Sequence, residues 1–464
     1  MKRGILSRTM TSALHNSPGR ILAAGAAFLG LSATAFATNP FITDQFTADP
    51  TARVFEGKVY VYPSHDIPEP AGYSGRPNWF VMEDYHVFSS ENLTDWTDHG
   101  VILTRGDVPW ADQTKYAMWA PDCVFKDGKY YFYFPAMARA DLDGGGMRIG
   151  VAVSDTPYGP FKPEPMPIEG VRGIDPGIFI DVDGSAYMSW SAKDALVIAK
   201  LKPNMREIEG EPIPIDNLPK NGLQEGPLQF ARDGVYYLTY PHKADKIERL
   251  EYATSSSPLG PFTWRGVMLD ESPSGCWTVH QSVVEFRGQW YLFYHDRDLS
   301  PAFDKHRSIR ADKLFFEADG SIRKVMPTLR GVGVVDARSD IQIDRYSARS
   351  SDAIAVSFLD ESNPHAGWKT TFNGADAWVR FDAVDFGRGG RQPVQVRARS
   401  AKGGVLDIRL DAVDGPLLGR VTVAPGGEWS LAKSRVRKVP AGVHDLIVIL
   451  AGSAPIEVDW VTVR

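Results

Sequence analysis

A chain of 464 residues, of which 43% are hydrophobic, is long enough for two or three domains with ordinary buried cores. Lysine and arginine (51) nearly balance aspartate and glutamate (57), and the formal charge of −6 is not gathered into long runs of one sign. This distribution excludes the charged footprint of a nucleic-acid-binding or membrane-surface protein and favours a neutral substrate.

The N-terminal segment has the parts of an export signal. Basic residues precede an apolar run over residues 21–31, and small residues follow it up to Ala37. We therefore expect residues 1–37 to be a signal peptide and the mature protein to be periplasmic or secreted from a bacterium. In such an oxidising compartment Cys123 and Cys276 could pair, and the sequence leaves that pairing open.

One local pattern, a turn glycine followed by a short aromatic strand, recurs five times in the first 330 residues. The glycines are Gly57, Gly128, Gly184, Gly234 and Gly288. A glycine allows the positive φ of a tight hairpin turn, and the aromatic run after it favours a pleated sheet. The spacings of 71, 56, 50 and 54 residues fit one four-stranded blade per repeat. The sequence therefore predicts an all-β fold with a five-bladed β-propeller over residues 38–335.

A polar or charged residue precedes each turn glycine by six to nine positions. These residues are Asp49, Asp122, Asp175, Glu225 and His280. Because the first strand of each propeller blade lines the central axis, we expect the five side chains to converge at one end of the channel. Proline follows closely after three of the acids, and a residue without an N–H donor fits the start of a strand better than its middle.

Carboxylates clustered in an aromatic pocket suit the hydrolysis of a glycosidic bond. One acid must keep its proton to protonate the leaving oxygen, and a second must stay ionised to activate water or to attack. A third carboxylate raises the pKa of the acid by like-charge repulsion. Three acids can thus act as base, modulator and acid, although any one of them alone could instead cap a turn or pair with an arginine.

Five segments of this region resemble motifs of glycoside hydrolase family 43. The three with the acids are Thr47-Ala48-Asp49-Pro50-Thr51, Gly173-Ile174-Asp175-Pro176-Gly177 and Gln224-Glu225-Gly226-Pro227, and the others are Trp119-Ala120-Pro121-Asp122 and Val279-His280-Gln281-Ser282. The resemblance covers roughly residues 38 to 335. It implies an inverting enzyme in which Asp49 is the general base and Glu225 is the general acid. Asp175 then modulates the pKa of the general acid and orients that residue.

The same resemblance suggests further site residues. It implies that His280 lies by the channel axis and binds a hydrated calcium ion, although a lone histidine is more often a hydrogen-bonded structural residue. It also implies that an arginine approaches the substrate, and both Arg307 and Arg310 are candidates unless they form surface ion pairs. We expect Trp119 and Asp122 to contact the substrate.

Residues 345–464 show short alternating strands separated by glycine and proline clusters, which predict a β-sandwich of the jelly-roll kind. The segments 376–381, 396–400, 406–411 and 458–460 resemble carbohydrate-binding module family 6. The resemblance implies that Trp368 is one of a pair of aromatic residues that grip a sugar ring. Glu457 stands where that family commonly has a sugar-binding asparagine, so a module that only stabilises the propeller is the alternative.

Together these features predict an exo-acting glycoside hydrolase that releases a terminal pentose from plant hemicellulose. The appended sandwich favours an α-L-arabinofuranosidase acting on arabinoxylan or arabino-oligosaccharides. A β-D-xylosidase, or an enzyme with both activities, is the alternative within the class. A catalytically silent carbohydrate-binding propeller is the non-enzymatic alternative, but such a protein would not need three acids whose pKa values are driven apart.

Overall fold

The computed structural model describes residues 38–193, 195–363 and 366–464. The predicted signal peptide lies outside the described residues. Within these ranges the regular structure is almost entirely β-strand, with no α-helix and a single turn of 3-10 helix at Arg105–Asp107. No helix in the described ranges is long and apolar enough to cross a lipid bilayer.

Five antiparallel sheets follow one another along the first part of the chain and form five blades. The first contains β1 (Phe46–Phe55), β2 (Lys58–Asp66), β3 (Asp84–Ser90) and β4 (Thr97–Thr104), and the second contains β5 (Asp122–Lys126), β6 (Lys129–Ala138), β7 (Gly146–Ser154) and β8 (Lys162–Pro163). The third contains β9 (Ile174–Ile180), β10 (Ala186–Ser191), β11 (Leu196–Leu201) and β12 (Ile208–Pro214). The fourth contains β13 (Leu223–Gln224), β14 (Leu228–Arg232), β15 (Val235–Lys243), β16 (Arg249–Ser255) and β17 (Thr263–Leu269), and the fifth contains β18 (Gln281–Phe286), β19 (Gln289–Asp296) and β20 (Ser308–Leu314).

The predicted five-bladed propeller is therefore confirmed, and the turn glycines lie where the sequence places them. All five have φ between 77° and 82°. In four blades the residue before the glycine also has positive φ, as at Glu56 and Asp233, which is the type I′ geometry of a two-residue hairpin. These turns fix the register of the first two strands of each blade, and so the position of the residues at the channel end.

Hydrogen bonds between the first and last blades close the ring. The Thr47 amide donates to the carbonyl oxygen of Arg307 at 2.9 Å, and the Ala52 amide donates to Ser282 Oγ at 3.0 Å. The Asn39 side chain adds three donor contacts to the last blade and the segment after it, including one to the carbonyl oxygen of Ala311 at 3.0 Å. A closed ring holds the inner strands at fixed positions around the axis.

Aromatic side chains fill the spaces between neighbouring blades, and their hydroxyl groups are satisfied. Tyr62 and Tyr85 of the first blade pack against Phe132 of the second. The Tyr85 hydroxyl donates to the carbonyl oxygen of Trp119 at 2.7 Å, which ties the core to the segment before β5. Cys123 and Cys276 are both buried as free thiols, so the two cysteines do not pair in this structure.

The C-terminal part is a β-sandwich of two sheets with an apolar interior. One sheet contains β21 (Val335–Asp336), β23 (Ala348–Arg349), β26 (Trp378–Asp385), β29 (Gly404–Leu410), β30 (Leu417–Val423) and β33 (Val443–Leu450). The other contains β22 (Ile341–Gln342), β24 (Ile354–Phe358), β25 (Trp368–Phe372), β28 (Val394–Arg399), β31 (Ser430–Lys433) and β34 (Ile456–Val463). A separate ribbon pairs β27 (Gly390–Gln392) with β32 (Arg437–Val439).

The sandwich begins earlier than the sequence indicates. The short strands β21 and β22 pair with β26 and β34, so the chain joins the sandwich at Val335 rather than at residue 345. Two-residue strands are too short to show alternation in the sequence, and this accounts for the difference.

Polar contacts anchor the sandwich to the propeller. Lys313 of β20 pairs with Asp382 of β26 at 3.0 Å, and the buried Arg330 donates to the Asp382 carbonyl oxygen at 2.6 Å. Arg345 donates to the carbonyl oxygen of Asn39 at 3.0 Å. The sandwich therefore supports the segment that also closes the propeller ring.

Candidate active site

A pocket on the propeller axis receives side chains from all five blades. Among its lining residues are the three predicted catalytic acids, Asp49, Asp175 and Glu225, together with His280, Arg307 and Trp119. Trp79, Phe80 and Trp277 form a further aromatic wall. An acidic centre with flat apolar walls suits the apolar faces of a sugar ring.

Each of the three acids lies where the innermost strand of its blade is interrupted. The β1–β2 register shifts between Ala48 and Thr51, where Asp49 has φ of 46°. The β9–β10 register shifts in the same way beside Asp175, whose φ is 57°. In the fourth blade the innermost strand stops at Gln224, and Glu225 lies in the gap before β14. Such breaks redirect a side chain out of the pleated sheet, here towards the pocket.

Asp49 is held as a carboxylate. Its Oδ1 accepts a hydrogen bond from Arg307 Nη1 at 2.8 Å and its Oδ2 accepts one from Ser64 Oγ at 2.5 Å. Burial alone would raise the pKa of Asp49, but the charge of Arg307, helped by the hydrogen bond from Ser64, outweighs burial and lowers that pKa to about 2. Asp49 is therefore ionised at any working pH.

His295 fixes the backbone of Asp49 from below. Its Nδ1 accepts the Asp49 amide hydrogen at 3.0 Å, so the ring hydrogen lies on Nε2, which is 3.0 Å from the Thr278 carbonyl oxygen. Burial and, after it, the charge of Arg307 together lower the pKa of His295 to about 3. His295 is thus a neutral histidine that holds the left-handed turn at Asp49.

Arg307 is the arginine that reaches the pocket. Its guanidinium makes two hydrogen bonds of 2.9 Å to Asp66 and lies 4.6 Å above the centre of the Phe80 ring, while Nη1 bonds Asp49. Arg310, the other candidate, pairs with Asp298 and does not line the pocket. The expectation that Arg310 contacts the substrate is therefore not supported, because its guanidinium is held by acids outside the pocket.

Asp175 connects the third and fourth blades. Its Oδ2 accepts hydrogen bonds from Ser191 Oγ at 3.0 Å and from the Gly226 amide at 3.2 Å. Burial raises the pKa of Asp175 to about 7, an effect that His280 opposes and the nearby Glu225 carboxylate increases. Because Gly226 follows Glu225 directly, Asp175 fixes the backbone from which the Glu225 side chain extends.

The pKa of Glu225 is shifted in the opposite direction to that of Asp49. Burial raises its pKa, a hydrogen bond with Glu248 lowers it, and the charge of Asp49 raises it again, so that the net shift is upwards. The site therefore contains one acid held ionised and another that favours its protonated form. This is the division of protonation states that general acid–base hydrolysis needs.

Asp122 does not lie in the pocket. Both of its oxygens accept hydrogen bonds from Arg53, at 3.0 and 2.5 Å, and its Oδ2 also accepts the Ile178 amide hydrogen at 2.6 Å. The expectation that Asp122 contacts the substrate is wrong for a physical reason: its side chain is fully engaged in joining three blades. It also lies on an unbroken part of β5, closer to its turn glycine than the other four residues.

Glu248 is a pocket residue that the sequence pattern misses. It lies immediately before β16, outside the interrupted innermost strand that β13 and β14 form, so the rule for innermost strands cannot find it. Its side chain is buried, with 3% of the residue exposed. Burial raises the pKa of Glu248 well above its usual range, and the charge of Glu225 adds to the effect.

His280 has surroundings that fit a hydrated cation. A Cβ atom at Gly226 would lie 2.6 Å from its Cε1, so the glycine makes room for the imidazole. Gln281 follows His280 in the chain, and its Oε1 is buried without a hydrogen-bond partner among the described residues. The same holds for both amide atoms of Gln229 in the fourth blade. Uncommitted amide oxygens are ligands, or water acceptors, of the kind that calcium prefers.

A second group of possible metal ligands lies outside the pocket, on the first blade. His65, Asp84 and His86 offer ligand atoms within 4.8 Å of one another. The group has internal hydrogen bonds, since His65 Nδ1 lies 2.7 Å from Asp84 and His86 Nδ1 lies 3.1 Å from Asp98. These bonds account for the positions of the side chains without an ion.

Trp368 lies on the sandwich and not in the propeller pocket. It is 43% exposed and its ring stacks on Phe358 with centroids 4.3 Å apart. Glu457 pairs with Lys369 at 3.3 Å and also with Arg399. Trp368 is therefore available to a ligand, whereas the carboxylate at 457 is occupied by two cations.

Comparison with known proteins agrees with this geometry. The model of glycosyl hydrolases family 43 matches residues 37–322, and that of carbohydrate binding module family 6 matches residues 350–464. The chain is 39% identical to xylosidase/arabinosidase 43A of Humicola insolens over an alignment 331 positions long, which covers 61% of this chain and 98% of that protein. It is 30% identical to the arabinoxylan arabinofuranohydrolase of Bacillus subtilis over an alignment 482 positions long, gaps included, which covers 90% of each chain.

A solved structure gives the same result for the propeller. It is a family 43 β-xylosidase/α-arabinofuranosidase from a compost microbial metagenome, in complex with xylotriose and in a calcium-free form. The two chains are 38% identical with a TM-score of 0.56, and the match covers 62% of this chain and 97% of the other. Since the family model spans more than half of the sequence, this chain belongs to glycoside hydrolase family 43 and carries a family 6 carbohydrate-binding module at its C-terminal end.

Proposed function

We propose that the protein is an inverting exo-α-L-arabinofuranosidase that removes terminal arabinose from arabinoxylan or arabino-oligosaccharides. The observation that carries the proposal is one axial pocket with an ionised Asp49 and a Glu225 of raised pKa. The arabinofuranohydrolase of Bacillus subtilis, which matches both domains, supports the choice of sugar. A β-D-xylosidase is the second candidate, because relatives that match the propeller are named xylosidase/arabinosidase.

The chemistry follows from the protonation states. Asp49 accepts a proton from a water molecule whose oxygen attacks the anomeric carbon. The glycosidic C–O bond breaks as Glu225 transfers its proton to the leaving oxygen. Asp175 holds the Gly226 amide and so keeps Glu225 in place. Water attacks from the side opposite the leaving group, and the anomeric configuration inverts.

A panel of nitrophenyl glycosides tests the substrate class. We expect release of nitrophenol from the α-L-arabinofuranoside, with less or none from the β-D-xyloside. Proton NMR during the first turnovers should show β-arabinose before mutarotation, because inversion of an α-glycoside gives the β-anomer. Release from the xyloside alone would favour the second candidate, and α-arabinose as the first product would exclude an inverting mechanism.

We propose that the protein is exported, because the N-terminal 37 residues combine a basic region, an apolar run and a small-residue cleavage site. A plant polysaccharide is too large to enter a bacterial cell intact. An exported enzyme would meet this substrate where it is found, and the C-terminal module would then act on the same polymer.

We propose further that His280 holds a hydrated calcium ion beneath the acids. Bound calcium would supply positive charge and ordered water, while the protein would supply the His280 imidazole and the amide oxygen of the adjoining Gln281. The solved structure of the compost relative is described as a calcium-free form, and this description supports testing calcium as a ligand here.

Prolonged chelation should lower activity and thermal midpoint together, because an ion that binds only the native state stabilises it by mass action. Added calcium should restore both. His280→Ala should reproduce the chelated state and be insensitive to calcium. If chelation leaves the wild type unchanged while His280→Ala still loses activity, His280 acts through hydrogen bonding and the calcium proposal is wrong.

A further inference from the structure

Glu248 is fixed on one side by the backbone of the last blade. Its amide donates to the carbonyl oxygen of Trp277 at 3.0 Å, and its Oε2 accepts the Val279 amide hydrogen at 2.9 Å. Trp277 itself lines the pocket. The carboxyl group of Glu248 therefore has one oxygen committed as an acceptor and only the other free to act.

The other oxygen, Oε1, has no such anchor, and Glu248 lines the same pocket as Glu225. Within the described residues Oε1 is buried and has no N–H or hydroxyl donor as a partner. The Glu248 and Glu225 side chains lie close enough for a hydrogen bond between them to shift the pKa of both. Two carboxylates are acceptors only, so this contact needs a proton between them, and a buried oxygen without a donor would otherwise remain unsatisfied.

We propose that Glu248 is a neutral carboxylic acid that donates a hydrogen bond from Oε1 to Glu225 and holds it in position for catalysis. The proposal rests on the role of Glu225 as the general acid. Glu248 keeps its proton throughout the reaction. When Glu225 gives its own proton to the leaving oxygen, the hydrogen bond from Glu248 becomes charge-assisted and stronger. Glu248 therefore stabilises the transition state more than the ground state, as a positioning residue.

The charged groups around the pair are consistent with a neutral Glu248. Burial is the largest influence on its pKa, and the carboxylates of Glu225 and Asp175 also favour its protonated form. Asp49 and Lys243 act on Glu225 in opposite directions. No lysine or arginine is hydrogen-bonded to Glu248 among the described residues, so an ionised form would have only the Val279 amide as a donor.

Two substitutions separate a neutral donor from a charged group. Gln at 248 keeps an acceptor for Val279 and an N–H donor for Glu225, whereas Met has a similar size but neither. Glu248→Gln should keep kcat/KM within several-fold of wild type. Glu248→Met should lose roughly 10- to 100-fold on substrates with poor leaving groups, which corresponds to a lost hydrogen bond to a charged group, and little on activated aryl glycosides.

The alkaline limb of the pH profile of kcat/KM distinguishes a neutral Glu248 from an ionised one, because this limb reports the ionisation of the general acid, Glu225. Loss of a neutral donor removes stabilisation of the Glu225 carboxylate, so the limb should move to higher pH in Glu248→Met and stay near the wild-type position in Glu248→Gln. If Glu248 is ionised, both substitutions remove a negative charge beside Glu225 and the limb moves to lower pH in both. That result would overturn the proposal.

Infrared spectroscopy provides a test that does not depend on turnover. At a pH above the ionisation of Asp175 and Glu225, the wild type should retain a protonated-carboxyl C=O band that Glu248→Gln lacks. If the band is present and no glycoside is hydrolysed, the assignment of Glu225 as the general acid is wrong, whereas the neutral state of Glu248 is confirmed. If hydrolysis proceeds and the band is absent from the wild type, Glu248 is ionised and this inference fails. Equal thermal midpoints would show that both variants are folded.

Discussion

Glu225→Gln should abolish hydrolysis of glycosides with poor leaving groups and spare much of the activity on activated aryl glycosides. An alkoxide leaving group needs the proton that Glu225 supplies, whereas a nitrophenolate leaves with little help. General acid catalysis typically contributes 10²–10⁴-fold, and we expect a loss of about that size on xylan-derived oligosaccharides. Steady-state rates on a series of aryl glycosides of increasing leaving-group pKa measure this dependence.

Asp49→Asn is the matched variant for that experiment. An amide cannot accept a proton from water, so activity should fall on activated and poor substrates alike. Azide, which needs no base, should partly restore the cleavage of activated substrates by attacking the anomeric carbon itself, with a glycosyl azide as the product. Equal losses for Asp49→Asn and Glu225→Gln on every substrate would contradict the division of roles between the two acids.

The fold was predictable because its signals are local and repeated. Each blade places a glycine of positive φ at the same hairpin, and an aromatic strand follows it. The three pocket acids were predictable for a related reason. The strand breaks at Asp49 and Asp175 are visible in the sequence as Asp-Pro pairs, and the break at Glu225 as Glu-Gly-Pro. Asp122 has no such break after it, and it stays in the regular ladder of β5 with its carboxylate bonded to Arg53.

Other features depend on contacts between distant parts of the chain. Arg307 and Arg310 are three residues apart at the start of one strand, so alternation directs them to opposite faces and only one of them can face the pocket. The choice depends on Asp66, which lies more than 200 residues earlier. Glu248 is tied to the last blade by the Val279 amide and so lines the same pocket as Glu225, and no spacing in the sequence encodes that position.

Arg307→Met should destabilise the protein and move the pH range of its activity. The substitution leaves Asp49 and Asp66 buried without their cation, and breaking a buried ion pair by removing one partner typically costs about 3–5 kcal/mol. We therefore expect a lower thermal midpoint. The pKa of Asp49 should rise from about 2, because burial is no longer opposed by the guanidinium.

The direction of the pH effect follows from that shift. In the wild type the pKa of Asp49 lies below its ordinary value of 3.8, so the carboxylate contributes stability above that value, and this contribution is lost only as the pH falls towards 2. In Arg307→Met burial raises the pKa of the Asp49 carboxyl group. The loss of stability relative to the wild type should therefore become smaller as the pH falls and Asp49 takes up its proton. The acid limb of kcat/KM, which reports the base, should appear at a higher pH than in the wild type.

Arg310→Met is the matched control for Arg307→Met. Arg310 carries a largely buried guanidinium, with 11% of its side chain exposed, paired with Asp298 and Asp296, but it does not line the pocket. Its loss should lower the thermal midpoint by a comparable amount and leave the acid limb of kcat/KM where it is in the wild type. If the acid limb moves equally in both variants, or in neither, the low pKa of Asp49 does not depend on Arg307, and the assignment of Arg307 as the residue that keeps the base ionised is wrong.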